Sequence, residues 1–182
     1  MMTTYYSKIN PFILITGTCI IILFSWFLSI KNKRYHGIAR FFSFESILIL
    51  VMLNQDIWFI NVFSTFQIIS WFLFLLSAYI AVAGFFLLKK IGKSDANFEN
   101  TSVLVRENLY KYIRHPLYLS LFLLGTGIMI KDPGPAQLIF GFVNLVALYV
   151  TARMEEKEMT ARFGKEYLDY MKETKMFIPF IL

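Results

Sequence analysis

The residues of this chain best suited to chemistry fall in one short stretch, Tyr110-Lys111-Tyr112-Ile113-Arg114-His115-Pro116-Leu117-Tyr118, and in one acidic pair, Glu155-Glu156. Proline suits the first position of a helix and disfavours the α conformation in the residue before it, so His115 reads as an extended residue capping a helix that opens with Pro116. The first free N–H groups of that helix, with the positive end of its dipole, make an anion-attracting spot. A guanidinium, an imidazole and the phenols of Tyr110 and Tyr118 lie within a few residues of it. Interfacial anchoring accounts for Lys111 or Tyr112 taken singly, because basic and aromatic side chains girdle bilayers. Arg114, His115, Pro116 and Tyr118 in one register are a different matter, since ionisable groups clustered beside hydrocarbon mark a functional site.

The elements that position these residues are helices in a membrane. Of the 182 residues, 57% are hydrophobic and only 16% charged, where a soluble domain carries about 25% charged residues. Five apolar runs, at about 12–30, 38–56, 66–88, 116–131 and 136–153, predict an all-α integral membrane protein with about five transmembrane helices in a single domain, 1–182, whose site-bearing half is about 104–182. The first run is followed by Lys31, Lys33 and Arg34 without a small-x-small cleavage site, so it reads as a retained span. All 18 Lys and Arg residues except Lys8 and Lys131 fall in the 31–40 loop, the 89–114 stretch and the tail from Arg153. Five crossings place those three segments on one side, and the positive-inside rule makes that side cytosolic, with the N-terminus out. The net charge of +6 therefore speaks for topology and anionic lipid, not for nucleic acid. A single Cys, Cys19, excludes a disulfide framework and Cys-based zinc motifs, two His leave little for a metal, and no metal site is expected.

Asp132-Pro133-Gly134-Pro135 is rich in turn formers and predicts a tight hairpin between the fourth and fifth runs. That hairpin returns Glu155 and Glu156 to the membrane face holding Arg114 and His115. Gly125-Thr126-Gly127, in mid-span, reads as helix packing, and Glu45 lies close enough to the basic loop to pair with Arg40. From Arg153 to about Met171 the pattern predicts a cytosolic amphipathic helix that continues the fifth span or lies along the interface, with Met159, Phe163, Tyr167, Tyr170 and Met171 on one face and Glu158 paired with Arg162 on another. The closing Phe177-Ile178-Pro179-Phe180-Ile181-Leu182 is apolar and expected to tuck against the bundle or the lipid. No Gly-x-Gly-x-x-Gly, P-loop or Gly-x-Ser-x-Gly is present.

Asn108-Leu109-Tyr110-Lys111-Tyr112-Ile113-Arg114-His115-Pro116-Leu117-Tyr118, then Glu155-Glu156, then Phe163-Gly164-Lys165-Glu166-Tyr167-Leu168-Asp169-Tyr170, then Ile178-Pro179 resembles, in order and spacing, the isoprenylcysteine carboxyl methyltransferases and the wider group that includes the phospholipid N-methyltransferases. The resemblance covers residues 104–182 and departs at Asn108, where the family often has Gly; Asn tolerates the left-handed conformation better than most residues. It implies a multi-span methyltransferase that binds S-adenosylmethionine in a cytosol-facing pocket under the tail, with a side opening for a lipidic acceptor, a C-terminal isoprenylcysteine carboxylate or, alternatively, a phospholipid amine or a thiol; the competing reading is a non-catalytic membrane protein that retains the fold. By motif position Tyr110, His115, Tyr118, Glu155 and Glu156 are the implied cofactor contacts, and Arg114 and Glu155 the implied catalytic residues. A carboxylate acceptor needs only a cation to orient it, the role open to Arg114, whereas an amine needs a base such as His115 or a glutamate.

The alternation of charge generates a direct test. A reporter fused after Leu182 is expected on the cytosolic side and one inserted at Asp132–Pro135 outside; the reverse result would separate the two motifs that the hairpin brings together.

Overall fold

Each apolar run folds as a helix, since within hydrocarbon a backbone has to satisfy its own N–H and C=O groups. The computed structural model describes residues 9–92 and 102–179; Lys8, Lys93 and Phe180, Ile181 and Leu182 of the sequence reading lie outside them. Six α-helices follow in order: α1 Pro11–Leu28, α2 His36–Leu53, α3 Thr65–Ile91, α4 Pro116–Met129, α5 Pro135–Phe163 and α6 Lys165–Glu173. Pro11, Pro116 and Pro135 each open a helix, where the missing N–H costs nothing. Asn10 caps α1 by accepting from the Phe12 N–H at 3.0 Å, and Ser64 caps α3 through Gln67 N. α1, α2, α3 and α5 are long and apolar enough to cross a membrane. α4 has 14 residues, about 21 Å at 1.5 Å per residue. Among the described residues no β-strand forms beyond one isolated parallel bridge, Ile113 to Lys175. The protein is an all-α integral membrane protein.

Polar contacts at the two ends of the bundle show that the helices alternate in direction. At one end Asn54, closing α2, donates to the Ile128 carbonyl near the close of α4 (2.6 Å) and accepts from Gln137 in the first turn of α5 (3.1 Å). Lys131, just past α4, donates to Gln67 at the start of α3 (2.7 Å), its ammonium 4.3 Å from the Trp71 ring centroid and 5.1 Å from those of Trp58 and Phe74. This end is therefore closed by satisfied polar groups and one boxed cation. The start of α2, the close of α3, the start of α4 and the second half of α5 meet at the other end. Between them Ser43 donates to Asn144 (2.7 Å) and Ser77 to the Ser120 carbonyl (2.7 Å), tying α2 to α5 and α3 to α4. A Cβ on Gly125 would lie 2.3 Å from the Asn144 amide nitrogen, so the glycine makes room for the buried Asn144 side chain between α4 and α5, a packing role in keeping with its mid-span position.

Three sequence expectations change. Glu45 does not face Arg40; its carboxylate accepts from Thr18 Oγ1 at 2.7 Å, because five residues along a helix of 3.6 per turn leave the two on different faces. Glu158 does not pair with Arg162 but bonds Arg34 Nε at 3.1 Å and the His36 ring at 2.9 Å. A buried imidazole and a largely buried guanidinium across the bundle outcompete an exposed partner one turn away. The tail continues the fifth span as expected, α5 running unbroken to Phe163, but not as one helix to Met171, because Gly164, at φ +57°, breaks the chain before α6. That conformation suits glycine and lets α6 fold back over the end of the bundle. Met176 and Phe177 are buried against Tyr118, Leu148 and Ala152, which accounts for the described part of the apolar close.

Candidate functional site

The site is assembled by backbone pairing between two segments distant in sequence. The Arg114 N–H donates to the Lys175 carbonyl (2.8 Å), the His115 N–H to the Met176 carbonyl (3.2 Å) and the Lys175 N–H back to the Tyr112 carbonyl (3.1 Å). Tyr170 on α6 adds a hydroxyl bond to the Tyr110 carbonyl at 2.6 Å. Asn108, at φ +51°, starts the 3₁₀ turn Asn108–Lys111 that leads into the motif, the left-handed residue its type allows. The motif is thus held between the tail, packed along it, and α5, whose glutamates face it.

Arg114 and Glu156 form the tightest charge contact, Nε to Oε1 at 2.7 Å, with side chains only 8% and 3% exposed. The same guanidinium donates to the Thr174 carbonyl and, at 3.3 Å, to the Met171 carbonyl. Arg153 supports the other oxygen of Glu156 at 3.2 Å. His115 stands between the acids, 3.6 Å from Glu155 and 3.5 Å from Glu156, and its ring stacks on Tyr118 at 5.4 Å and 18°. Its Nε2 is buried without a hydrogen-bond partner among the described residues. His115 holds the N-cap position of α4 at φ −123°, ψ 60°, short of the extended conformation expected, and makes no side-chain capping bond because its ring is turned onto the glutamates. Burial by itself would lower the imidazole pKa, but the two carboxylates outweigh it and raise it, so the ring is a cation held by acids. Burial likewise pushes the phenols of Tyr110, Tyr167 and Tyr170 up and keeps them protonated donors.

A cavity of about 480 Å³ opens beside this cluster. One half is polar and aromatic, bordered by Tyr110, Arg114, His115, Tyr118, Glu155, Tyr167 and Tyr170; the other is apolar, bordered by Phe24, Phe44, Val82, Phe86 and Leu121, with Arg40 among them. Phe24, Val82 and Phe86 are 42%, 56% and 63% exposed, so the apolar half opens sideways between α1 and α3. Of the residues singled out in the sequence, Tyr110, Arg114, His115, Tyr118 and Glu155 border the cavity and Glu156 does not; Glu156 stands behind, locked to Arg114. Tyr167 and Tyr170 are read from sequence only as one face of an amphipathic helix, although an aromatic stripe beside the motif is the signal that finds them. Arg40 is missed as a site residue. Its signal is a basic residue one turn inside an apolar helix, which sequence ascribes to the flanking charge.

An all-α membrane bundle with a laterally open cavity under a charged helix end defines the class of protein. A profile of the phospholipid methyltransferase family matches residues 65–166, more than half of the chain, and the chain belongs to that family. It is 39% identical over 74 residues to the methanethiol S-methyltransferase of Crocosphaera subtropica, covering 40% of this chain and 28% of that protein. It is 35% identical over 85 residues to the protein-S-isoprenylcysteine O-methyltransferase of Saccharomyces cerevisiae (46% and 35% covered), and 35% over 88 residues to the protein of that name from Mus musculus (45% and 29%). The chain spans about a third of the length of these relatives. No solved structure matches it significantly.

The raised His115 pKa fixes a pH dependence. The unfolded imidazole titrates near ~6.5, so the stability contributed by His115 is fully present below that pH and is lost as pH rises through the higher folded value. Thermal midpoints of wild type and His115→Gln, measured in micelles from pH 5 to 9, should converge as pH rises; a gap that widens would contradict the cationic assignment.

Proposed function

We propose that this protein is an S-adenosylmethionine-dependent membrane methyltransferase acting on a lipid-borne acceptor from the cytosolic face of the bilayer. The observation that carries this reading is the single cavity whose polar half, walled by tyrosines and a carboxylate, runs into an apolar half open to hydrocarbon. When bound, S-adenosylmethionine supplies an electrophilic methyl group on a sulfonium. The residues present suit such a donor. Phenol faces and the Glu155 carboxylate attract a cationic centre, and the buried, protonated phenol of Tyr167 offers a donor to hydroxyls and ring nitrogens.

The roles of the chain's residues follow from their bonds. Arg114 neutralises Glu156 and fastens the tail through the Thr174 and Met171 carbonyls, so it closes the donor half and sets the position of His115. Glu155 is the carboxylate that borders the cavity. Tyr110, Tyr118, Tyr167 and Tyr170 form its aromatic wall and exclude water. Displacement at a sulfonium methyl needs alignment more than acid–base chemistry, and alignment in a dry site is worth up to ~7–11 kcal/mol in ideal cases. The favoured acceptor is a carboxylate on an isoprenylcysteine or similar lipidated group, in keeping with the relatives named isoprenylcysteine O-methyltransferase. A thiol is the second reading, favoured by the relatives named methanethiol S-methyltransferase.

Calorimetric titration of the purified protein with S-adenosylmethionine and with its demethylated product is the test. Both should bind wild type, and Glu155→Gln should weaken the donor by about 10- to 150-fold, the equivalent of one charge-assisted hydrogen bond of ~1.5–3 kcal/mol. Absence of binding to wild type, or equal binding to the variant, would remove the donor site from this cavity.

A further inference from the structure

We infer that Arg40 is the specificity-determining residue of the acceptor half, holding the anionic head, a carboxylate or a phosphate, of an acceptor whose apolar tail lies in the opening between α1 and α3. This rests on the methyltransferase reading of the cavity and adds to it the chemistry of the acceptor.

Arg40 lies in the second turn of α2, is 4% exposed and borders the cavity. Its guanidinium carbon stands 5.7 Å from the Phe24 ring centroid and 5.9 Å from that of Phe44, and Nη2 donates to Ser29 Oγ at 2.7 Å. Two rings that also line the cavity and one hydroxyl therefore fix the orientation of a charge in an otherwise apolar wall. A guanidinium is the cation best tolerated in that setting, because it is weakly hydrated, stacks on aromatic faces and presents a planar fork to carboxylates and phosphates. Arg114 and His115 stand at the opposite, polar half of the cavity against Glu156 and Glu155, and their charge serves the donor side. The cation of the apolar half is Arg40. A single-tailed anion fits this layout, with its head on Arg40 and its chain passing Val82 and Phe86 into hydrocarbon; a small neutral molecule would make no use of either feature.

For a carboxylate head the charge balance favours release. The carboxylate oxygen supplies the pair that forms the new C–O bond, and the S–CH₃ pair stays on sulfur. An anion and a sulfonium become a neutral ester and a neutral thioether, with no proton moved. The ester no longer satisfies the fork of Arg40, so product binds more weakly than substrate.

The test is direct binding to the protein in detergent, without turnover, using farnesylcysteine against its methyl ester, and lysophosphatidate against monoacylglycerol. Wild type should prefer the anion of at least one pair by 10-fold or more, Arg40→Gln should abolish that preference, and Arg40→Lys should cut it several-fold by keeping charge without the fork. The pair in which the preference appears names the source of the anion. Equal binding of anion and neutral partner in both pairs, or a preference unchanged in Arg40→Gln, overturns the inference; if that variant does not fold, an unchanged preference in Arg40→Lys does so. S-adenosylmethionine affinity measured in parallel separates the two readings. Failure to bind the donor counts against the methyltransferase, whereas donor binding without discrimination between anion and neutral lipid counts against Arg40 alone.

Discussion

The buried contact between Arg114 and Glu156 is the interaction on which the rest of the site depends. Each charge alone would be costly in a bundle with so little water, and each sits on a segment that hydrophobic burial does not position by itself. Arg114 belongs to a short non-helical segment before α4, and Glu156 to the second half of α5, 42 residues later. Their pairing sets how far α5 is from the start of α4. The remaining guanidinium nitrogens then take up the carbonyls of Thr174 and Met171, so one side chain joins motif, helix and tail. His115, Glu155 and Tyr118 fall into place around it.

The bundle makes that contact possible by dividing polarity between its two ends. At the far end Asn54 pairs with Gln137 and the Ile128 carbonyl, and Lys131 pairs with Gln67. At the near end the polar groups border a cavity, and a buried histidine nitrogen has no hydrogen-bond partner among the described residues. The lateral opening between α1 and α3 follows from the packing, since α1 lies on α2 and α3 on α4.

Much of this was legible in the residues. Each of the five apolar runs became a helix, four of them long and apolar enough to cross a membrane, because apolar run length depends little on tertiary detail, although α5 continues to Phe163, past the expected end of its span. The meeting of Arg114 and His115 with Glu155 and Glu156 followed from the hairpin at Asp132–Pro135. Harder to read was which neighbour a charge chooses. Glu158 left its helix partner for His36 and Arg34, and Glu45 took a threonine on α1, since helix-to-helix packing sets those distances. The division of labour between adjacent glutamates was hidden for the same reason: a rotation of 100° per residue turns Glu155 to the cavity and Glu156 to the arginine. The break at Gly164 needed the three-dimensional requirement that α6 return over the motif. Arg40 lay in plain view as one more basic residue at a membrane boundary; only its burial among phenylalanines distinguishes it.

A double-mutant cycle on the unfolding free energy, with Arg114→Gln, Glu156→Gln and the pair together, measures the central contact most directly. Each single substitution removes the nearest counter-charge of a buried group, leaving Glu156 to Arg153 and His115 or Arg114 to its carbonyl acceptors, and should cost up to about 3–5 kcal/mol. The double variant removes both charges and should cost clearly less than the sum of the singles, a coupling of at least about 1 kcal/mol. Additivity within about 0.5 kcal/mol would contradict the account, because the motif and α5 would then be held together by something other than this pair.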